Sequence, residues 1–493
     1  VSRYDVVVVG CGNAGLSAAL AAQQAGGSVL ILERAPRDQR GGNSMYTGGA
    51  FKFAYSSAED ITELVPDISP EQLAITDFGS YTEGDFLDDL ARLTEYRTDP
   101  DLAEVLVKES KSTLLWHRDN GVTFLPKYHK DAFKVGGTYT FWGGDPLEVS
   151  AGGRGLIDTL VKTAESSGIE ILYEARARAL VVGRDGVTGI RVEQHRTMHT
   201  IECGAVVLAA GGFEASADWR ARFLGPGWEL AKVRGTRFNT GDGIAMALDI
   251  GATATGHWSG CHAVSVDLNS PDFGDHRIGG NHFERHSYAF GIMVNKLGKR
   301  FVDEGADFRN FTYAKYGAKV IQQPGQMAWQ VFDASMDPYL RSEYRGRTSK
   351  VTGDSLEALA KRMDGIDEIT FVATVAEYNA AVENTSAFNP TILDGVRTRG
   401  LELDKTNWAL PFRTPPFAAY PVTCGITFSY GGLKINTDAE VIGQDGNPIP
   451  GLFAAGELAG GIHYFNYAGG SGLTAGALFG RRAGTGGVRH ARS

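Results

Sequence analysis

The chain has 493 residues, with 48 Lys and Arg against 58 Asp and Glu for a net charge of −10, 43% hydrophobic residues and 64 glycines. That length buries a large core and leaves room for two or three domains, while the acidic balance, without a long Lys/Arg run, argues against nucleic acid and for a small-molecule substrate. A mean hydropathy of −0.17, no apolar run of membrane-spanning length and a strand opening within five residues of Val1 predict a soluble, cytoplasmic protein with no signal peptide and no direct membrane insertion.

Residues 4–9 (YDVVVV) form a β-branched run, as expected of a parallel strand covered on both faces, and residues 14–25 (AGLSAALAAQQA) are small-residue helical sequence. SVLILE at 28–33 completes a βαβ unit. Between strand and helix stands G-x-G-x-x-G, made by Gly10, Gly12 and Gly15. The first glycine allows the turn, the second lets backbone approach a pyrophosphate, and the third permits close helix–strand contact. The helix N-terminus then faces the phosphates, and Glu33, at the end of the second strand, is placed to accept from ribose hydroxyls.

Residues 83–120 show apolar residues at helical spacing with a break at Pro100, which predicts two amphipathic helices. The stretches 170–183, 186–194 and 199–212 read as three strands with Gly turns, a hairpin returning to the main sheet. From about 250 to 410 the chain gains His, Phe, Tyr and Arg in irregular Gly-rich segments, followed by helical 354–363 and 370–383, and reads as an inserted second domain. The end returns to strand and turn, then a small-residue helix whose tail after Gly484 is expected to fray.

Small residues recur at distant strand ends, in GGNSMYTGGA (41–50), VVLAAGGF (206–213), NTGDGIAMA (239–247) and PIPGLFAAGEL (448–458). They suit a long, extended ligand and favour FAD over NAD. Cys11, Cys203, Cys261 and Cys424 form no C-x-x-C or C-x-x-C-H, so they carry no iron–sulfur, zinc or haem-attachment motif and read as buried thiols. His257, His276, His282 and His286 have no ordinary metal-ligand spacing, so no metal is expected.

The set GCGNAG, Glu33, GGNS, LAAGGF, TGDG and FAAGE resembles the FAD-containing succinate dehydrogenase and fumarate reductase flavoprotein family over nearly the whole chain. Residues 298–317, 420–435 and 460–484 look most like its tricarballylate dehydrogenase branch. The resemblance implies an α/β fold: a Rossmann-like FAD-binding domain of glutathione-reductase type (1–250 and 411–493), interrupted by an α+β capping domain (251–410). The cofactor positions it implies are Gly10, Gly12, Asn13, Ala14 and Gly15, then Glu33 and Arg34, then Gly42, Asn43, Ser44, Gly48 and Gly49. It further implies Ala177, Ala210, Gly211 and Gly212, then Asn239, Gly241 and Asp242, and finally Gly456, Glu457, Ser471, Gly472 and Leu473. Residues 41–50 lack the histidine that carries flavin covalently in membrane-bound members, which implies non-covalent FAD.

Desaturating a carboxylic acid needs a hydride acceptor, a base for a weakly acidic C–H, and cations for the carboxylates. By resemblance, Arg309 after GKRFVDEG is the proton-transfer residue, Glu284 its relay carboxylate and His262 a carboxylate ligand. Two family residues for fumarate's carboxylates are replaced by Phe428 and Tyr467, and Arg285 with His286 could substitute from the cap. A Tyr-rich pocket would instead suit a ring ketone, as in the related ketosteroid dehydrogenases, with Tyr464 and Tyr467 as acid–base candidates beside Tyr288 and Tyr430. The leading expectation is a dehydrogenase converting tricarballylate to cis-aconitate, the alternatives an enone desaturase or reductase and a non-catalytic electron-transfer flavoprotein. With no haem or cluster motif, electrons leave through a separate acceptor: a protein, a quinone or oxygen.

Overall fold

The first strand, β1 (Tyr4–Val9), is buried from Val6 onward because parallel partners flank it. Val6 pairs with Val29 of β2 (Val29–Leu32) on one side and with Ala205 of the strand Thr197–Leu208 on the other. Between β1 and β2 runs helix α1 (Asn13–Gln24), whose Ala18, Ala19 and Ala22 are fully buried. The computed structural model describes residues 4–128, 131–141, 144–278, 282–346, 348–383 and 387–493.

The parallel core of this eight-stranded sheet runs, in order, from Pro448–Ala454 through Thr197–Leu208, β1 and β2 to Glu170–Leu172. The antiparallel meander Ala175–Gly183, Gly186–Gln194 and Thr197–Leu208 leaves one side of it. The single strand expected over 170–183 is two: Glu174 adopts φ 54°, and that turn lets 170–172 pair with β2 while 175–183 joins the meander.

The segment 83–120 folds as three helices, Glu83–Leu93, Pro100–Lys108 and Ser110–Asp119. Pro100 starts the second rather than ending the first: it sits at N1 behind Asp99, whose carboxylate caps the N–H groups of Asp101 and Leu102. Helical sequence at 354–363 and 370–383 forms the helices Leu356–Ala360 and Glu368–Ala381. The C-terminal helix does not fray after Gly484; it runs over Ser471–Arg492. Its glycines let it press onto α1: a Cβ on Gly480 would lie 2.4 Å from the Ala14 carbonyl oxygen, and one on Gly484 2.0 Å from that of Ala18. Arg492 closes the contact, bonding the Gly26 carbonyl oxygen and pairing with Asp5 at 3.4 Å.

A second, six-stranded sheet is organised by the long strand Phe417–Leu433, which pairs with Ala254–Asp267, Met327–Phe332 and Val351–Gly353. It thus draws its longest strand from beyond residue 410. Phe371, Val375 and Tyr378 of the helix Glu368–Ala381 pack on it with Trp329, Val331 and Phe417. The result is a mixed α/β fold, and its site lies between the strand ends of the first sheet, at Val9, Leu32 and Ala209, and the middle of the second, at His262 and Thr427–Tyr430. Among the described residues no helix is long and apolar enough to cross a membrane.

Candidate active site

A long cavity runs from the β1–α1 turn to the second sheet. Gly10, Gly12, Asn13, Ala14, Glu33, Arg34, Gly42, Asn43, Ser44 and Gly48 line its first half. Ala177, Ala210, Gly211, Asn239, Asp242, Gly456, Glu457, Gly472 and Leu473 face the same space.

The three motif glycines have separate causes. Gly10 has φ 108°, and a Cβ there would lie 2.3 Å from the Ala209 carbonyl oxygen. On Gly15 a Cβ would lie 2.0 Å from the Gly10 oxygen, so the helix reaches β1 only without one. Gly12 has an ordinary φ of −85° and room, its nearest neighbour being the Gly41 oxygen at 3.4 Å. Nothing in the protein requires glycine at this cavity-facing position, whereas a pyrophosphate against the α1 N-terminus would. This is the fit a dinucleotide demands.

Glu33 spans the turn: Oε2 accepts from Cys11 N–H at 3.0 Å and Oε1 from Ala35 N–H at 2.7 Å. Burial pushes its carboxyl up while these N–H groups pull it back toward ionisation. Asp242 is held by Arg176 at 2.7 and 3.0 Å and by Arg34 at 3.2 Å, fixing one cavity wall. Asn43 donates to Glu214 Oε1 (2.7 Å) and Thr427 O (2.6 Å) and accepts from Thr236 N–H (2.9 Å), tying three segments beneath the groove. Burial pushes both Glu214 and Glu457 up, and their proximity raises Glu457 further.

Five expected cofactor positions lie behind the wall rather than on it. Gly15 backs onto β1; on Gly49 a Cβ would meet Gly152 Cα at 2.9 Å, and on Gly212 it would meet Glu457 Oε1 at 2.1 Å. Gly241, at φ 84°, starts the helix Asp242–Asp249, and Ser471, the first residue of the C-terminal helix, donates its hydroxyl to Ala468 O at 2.7 Å in the preceding turn. They shape the cavity through packing.

The far half of the cavity is charged and aromatic. Arg309, Glu284, His262 and Tyr467 line it, joined by Lys127, Asp131, Arg234, His286, Tyr313, Arg341 and His463. The partner of Arg309 is Asp131, not the expected Glu284, and Arg341 approaches the same Asp131 oxygen at 3.3 Å. Burial works against the Arg309 charge, but Asp131 outweighs it and holds the guanidinium above its ordinary range. Glu284 instead pairs with Arg234 and lies 3.2 Å from His286 Nδ1. Burial pushes Glu284 up, partly offset by Arg234 and Arg341.

His262 lies in an aromatic box, with Phe428 at 5.2 Å, Tyr313 at 5.0 Å and Tyr467 at 4.9 Å between ring centres. Burial depresses His262 and His286 well below the ordinary range and His463 to about 3, so these imidazoles are neutral at pH 7. Both His262 ring nitrogens, His463 Nδ1, Arg309 Nε and Tyr430 Oη are buried without a hydrogen bond among the described residues. Such groups are costly unless a ligand meets them. Tyr467 Oη accepts from Gly472 N–H at 3.0 Å, and burial pushes its phenol up to about 12.

Two expected catalytic residues lie elsewhere. Arg285 is fully buried on Asp267 at 2.8 Å, with Nη1 donating to the carbonyls of His282 and Glu284. Tyr464 stands outside the cavity, its ring 6.2 Å from that of His257. All four cysteines are free and buried, and among the described residues no group of three His, Cys, Asp or Glu is placed to hold a metal.

A family model for the FAD binding domain matches residues 5–473. The chain is 30% identical to the probable fumarate reductase Ifc3 of Shewanella frigidimarina over 99% of its own length and 75% of the relative's. Its fold matches the open conformation of a flavocytochrome c3 fumarate reductase with a TM-score of 0.73 at 29% identity, over 100% of this chain and 79% of that one. A 3-ketosteroid delta1-dehydrogenase from Sterolibacterium denitrificans matches at TM-score 0.75 but 20% identity, over 99% and 100%, a likeness of fold.

Proposed function

Because the chain belongs to the FAD-binding flavoprotein family of the fumarate reductases, we propose that it is an FAD-dependent oxidoreductase of a CH–CH bond next to a carboxylate, with tricarballylate, giving cis-aconitate, as leading substrate. The observation that carries this reading is the end of the FAD cavity, where Arg309 stands beside buried donors of His262, His463 and Tyr430 that the described residues leave without hydrogen bonds. FAD is held non-covalently, since the 41–50 stretch beside the cavity contains no histidine. When bound, it supplies two-electron hydride exchange with the substrate carbon.

The chain's own residues do the rest. The α1 N-terminus and Gly12 would receive the FAD pyrophosphate, and Glu33 would stand at its ribose. Arg309 exchanges the proton at the neighbouring carbon, its guanidinium steadied over the Tyr313 ring at 5.0 Å. The neutral imidazoles of His262 and His463 donate to carboxylate oxygens. Asp131 and Glu284 balance Arg309 and Arg234, so the site offers directed donors more than net positive charge. Electrons leave to a separate acceptor: a protein, a quinone or oxygen.

A second reading has its own observation: Phe428, Tyr430, Tyr313 and Tyr467 make this end more aromatic than a small polyacid requires, and Tyr467 Oη already accepts one N–H. A cyclic enone would fit it. The test is anaerobic bleaching of bound flavin by a panel of di- and tricarboxylates and cyclic ketones. Bleaching by tricarballylate supports the first reading, bleaching only by cyclic ketones the second, and no bleaching by any compound an electron-carrier role.

A further inference from the structure

Arg309 does not stand alone with its carboxylate. Asp131 Oδ1 pairs with Arg309, and its Oδ2 lies 2.6 Å from Lys127 Nζ. The same ammonium lies 2.6 Å from Asp145 Oδ2. All three are within 3% of complete burial. The placement is built by the chain: the strands Phe124–Pro126 and Leu147–Val149 pair antiparallel, Phe124 with Val149 and Pro126 with Leu147, and so bring 127 and 145 side by side. Lys52, fully buried, feels the Asp145 carboxylate, which raises it against the pull of burial, and its ammonium lies 4.5 Å from the centre of the Tyr81 ring. Tyr81 Oη donates to Asp89 at 2.6 Å, and Asp89 pairs at 2.7 Å with Arg92, whose side chain is 42% exposed. Acids and bases thus lead from the reacting end of the cavity toward solvent, with the Tyr81 ring between Lys52 and Asp89.

We propose that the proton exchanged by Arg309 travels through Asp131, Lys127 and Asp145 to Lys52 and past Asp89 to solvent at Arg92, rather than through Glu284. The inference rests on the proton-transfer role given to Arg309 above. In the direction that saturates a C=C bond, one carbon takes a hydride from reduced FAD and its neighbour a proton from Arg309. Arg309, briefly neutral, recovers one proton from Lys127 by way of the two Asp131 oxygens. Lys127 is restored from Asp145, Asp145 from Lys52, and Lys52 from solvent past Asp89, so each turnover consumes one solvent proton. Desaturation runs the same steps backward. The groups suit the traffic: burial pushes Asp145 up, and it lowers Lys52 to about 8, where both forms are accessible near neutral pH. Burial opposes the charge of Lys127, but Asp131 and Asp145 outweigh it and keep the bridge loaded. Among the described residues Glu284 is engaged by Arg234 and His286, while Arg309 pairs with Asp131.

The test uses the FAD-loaded enzyme, photoreduced without oxygen and mixed with cis-aconitate, fumarate or a cyclohexenone in H₂O and D₂O, with flavin reoxidation followed by stopped flow. Lys127→Arg keeps the charge and both ion pairs but gives up its proton far less readily. It is expected to lower the limiting rate about 100-fold or more, within the usual contribution of acid–base catalysis, with unchanged FAD content and a larger solvent isotope effect. Lys127→Ala is expected to be slow and to regain rate with added ethylamine. Asp145→Asn, a substitution of nearly equal volume, is expected to slow the same step should the Lys127 variants fold poorly. Wild-type rates in Lys127→Arg, or a raised KM with unchanged kcat, would overturn the relay and make Lys127 an ion-pair or substrate anchor. If Arg309→Lys reoxidises at the wild-type rate, the role of Arg309 fails instead; if no probe reoxidises the wild-type enzyme, the proposed function fails.

Discussion

Two substitutions in one motif separate packing from ligand binding. Gly15→Ala puts a methyl 2.0 Å from the Gly10 carbonyl oxygen and 3.0 Å from its carbon, so α1 must retreat from β1 by more than 1 Å to reach ordinary contact. It cannot do so cheaply, because the C-terminal helix is seated on its other side with Gly480 and Gly484 against the Ala14 and Ala18 carbonyls. Overpacking costs about 1–3 kcal/mol even where neighbours can shift, and here the obstruction is backbone on both sides, so a loss of about 3 kcal/mol is expected. Gly12→Ala meets nothing nearer than 3.4 Å and needs no unusual φ, so the apoprotein should be destabilised by less than about 1 kcal/mol. Its methyl nevertheless occupies the pyrophosphate approach, and FAD affinity should fall at least tenfold. The assay is urea unfolding of FAD-stripped protein, followed by flavin titration monitored by fluorescence quenching. A Gly12→Ala protein that binds FAD like wild type, or a Gly15→Ala apoprotein as stable as wild type, would refute the reasoning.

Arg285→Ala leaves Asp267 charged and buried, which should cost about 3–5 kcal/mol, while the folded fraction keeps its KM for substrate; a raised KM with unchanged stability would return Arg285 to the site. Stability should fall as pH drops below about 6.5, because burial holds His117 at about 4 and His463 at about 3 in the folded chain. The unfolded chain then binds protons that the folded chain refuses, at about 1.4 kcal/mol per pH unit for each group; equal urea midpoints at pH 7 and pH 5 would contradict this. Anion binding beside Glu284 should push that carboxyl further up, so tricarballylate binding should take up protons and its calorimetric heat should vary with buffer ionisation enthalpy. The dependence should vanish in Glu284→Gln, and a buffer-independent wild-type heat would reject the coupling.

The cofactor end was legible because its signals are local: strand, turn, helix and Glu33 fall within thirty residues of Tyr4, and each needs a particular residue type there. What local pattern could not give was which side of a segment faces the cavity. Glu284 and His286 line it while Arg285 between them does not, because residues 283–285 are extended: Asp267 N–H bonds Phe283 O at 2.8 Å and Arg285 N–H bonds Ser265 O at 3.0 Å. Successive side chains in such a segment point to opposite faces, so of Arg285 and His286, the two expected to replace the missing family residues, only His286 faces the cavity. Arg234 and Arg341 come from distant segments and carry no motif of their own, while Tyr313 and His463 stand unmarked inside the runs 298–317 and 460–484. Lys127 and Asp131 at least stand four apart, but that spacing becomes informative only once the hairpin with 147–149 places Asp145 beside them. The unfrayed C-terminal helix was missed for a related reason: its glycines weaken an isolated helix, and their value lies in the contact with α1.

The central claim is that Arg309 moves a proton while bound FAD exchanges a hydride at the adjacent carbon of a carboxylic acid. The most direct measurement is anaerobic stopped-flow reduction of the bound flavin by saturating tricarballylate, wild type against Arg309→Lys. The account predicts bleaching of the wild type and a loss of about 10²–10⁴ in the limiting rate of the variant at equal FAD content. A variant that bleaches as fast as the wild type, or a wild type that tricarballylate leaves yellow while a cyclic ketone bleaches it, would contradict it.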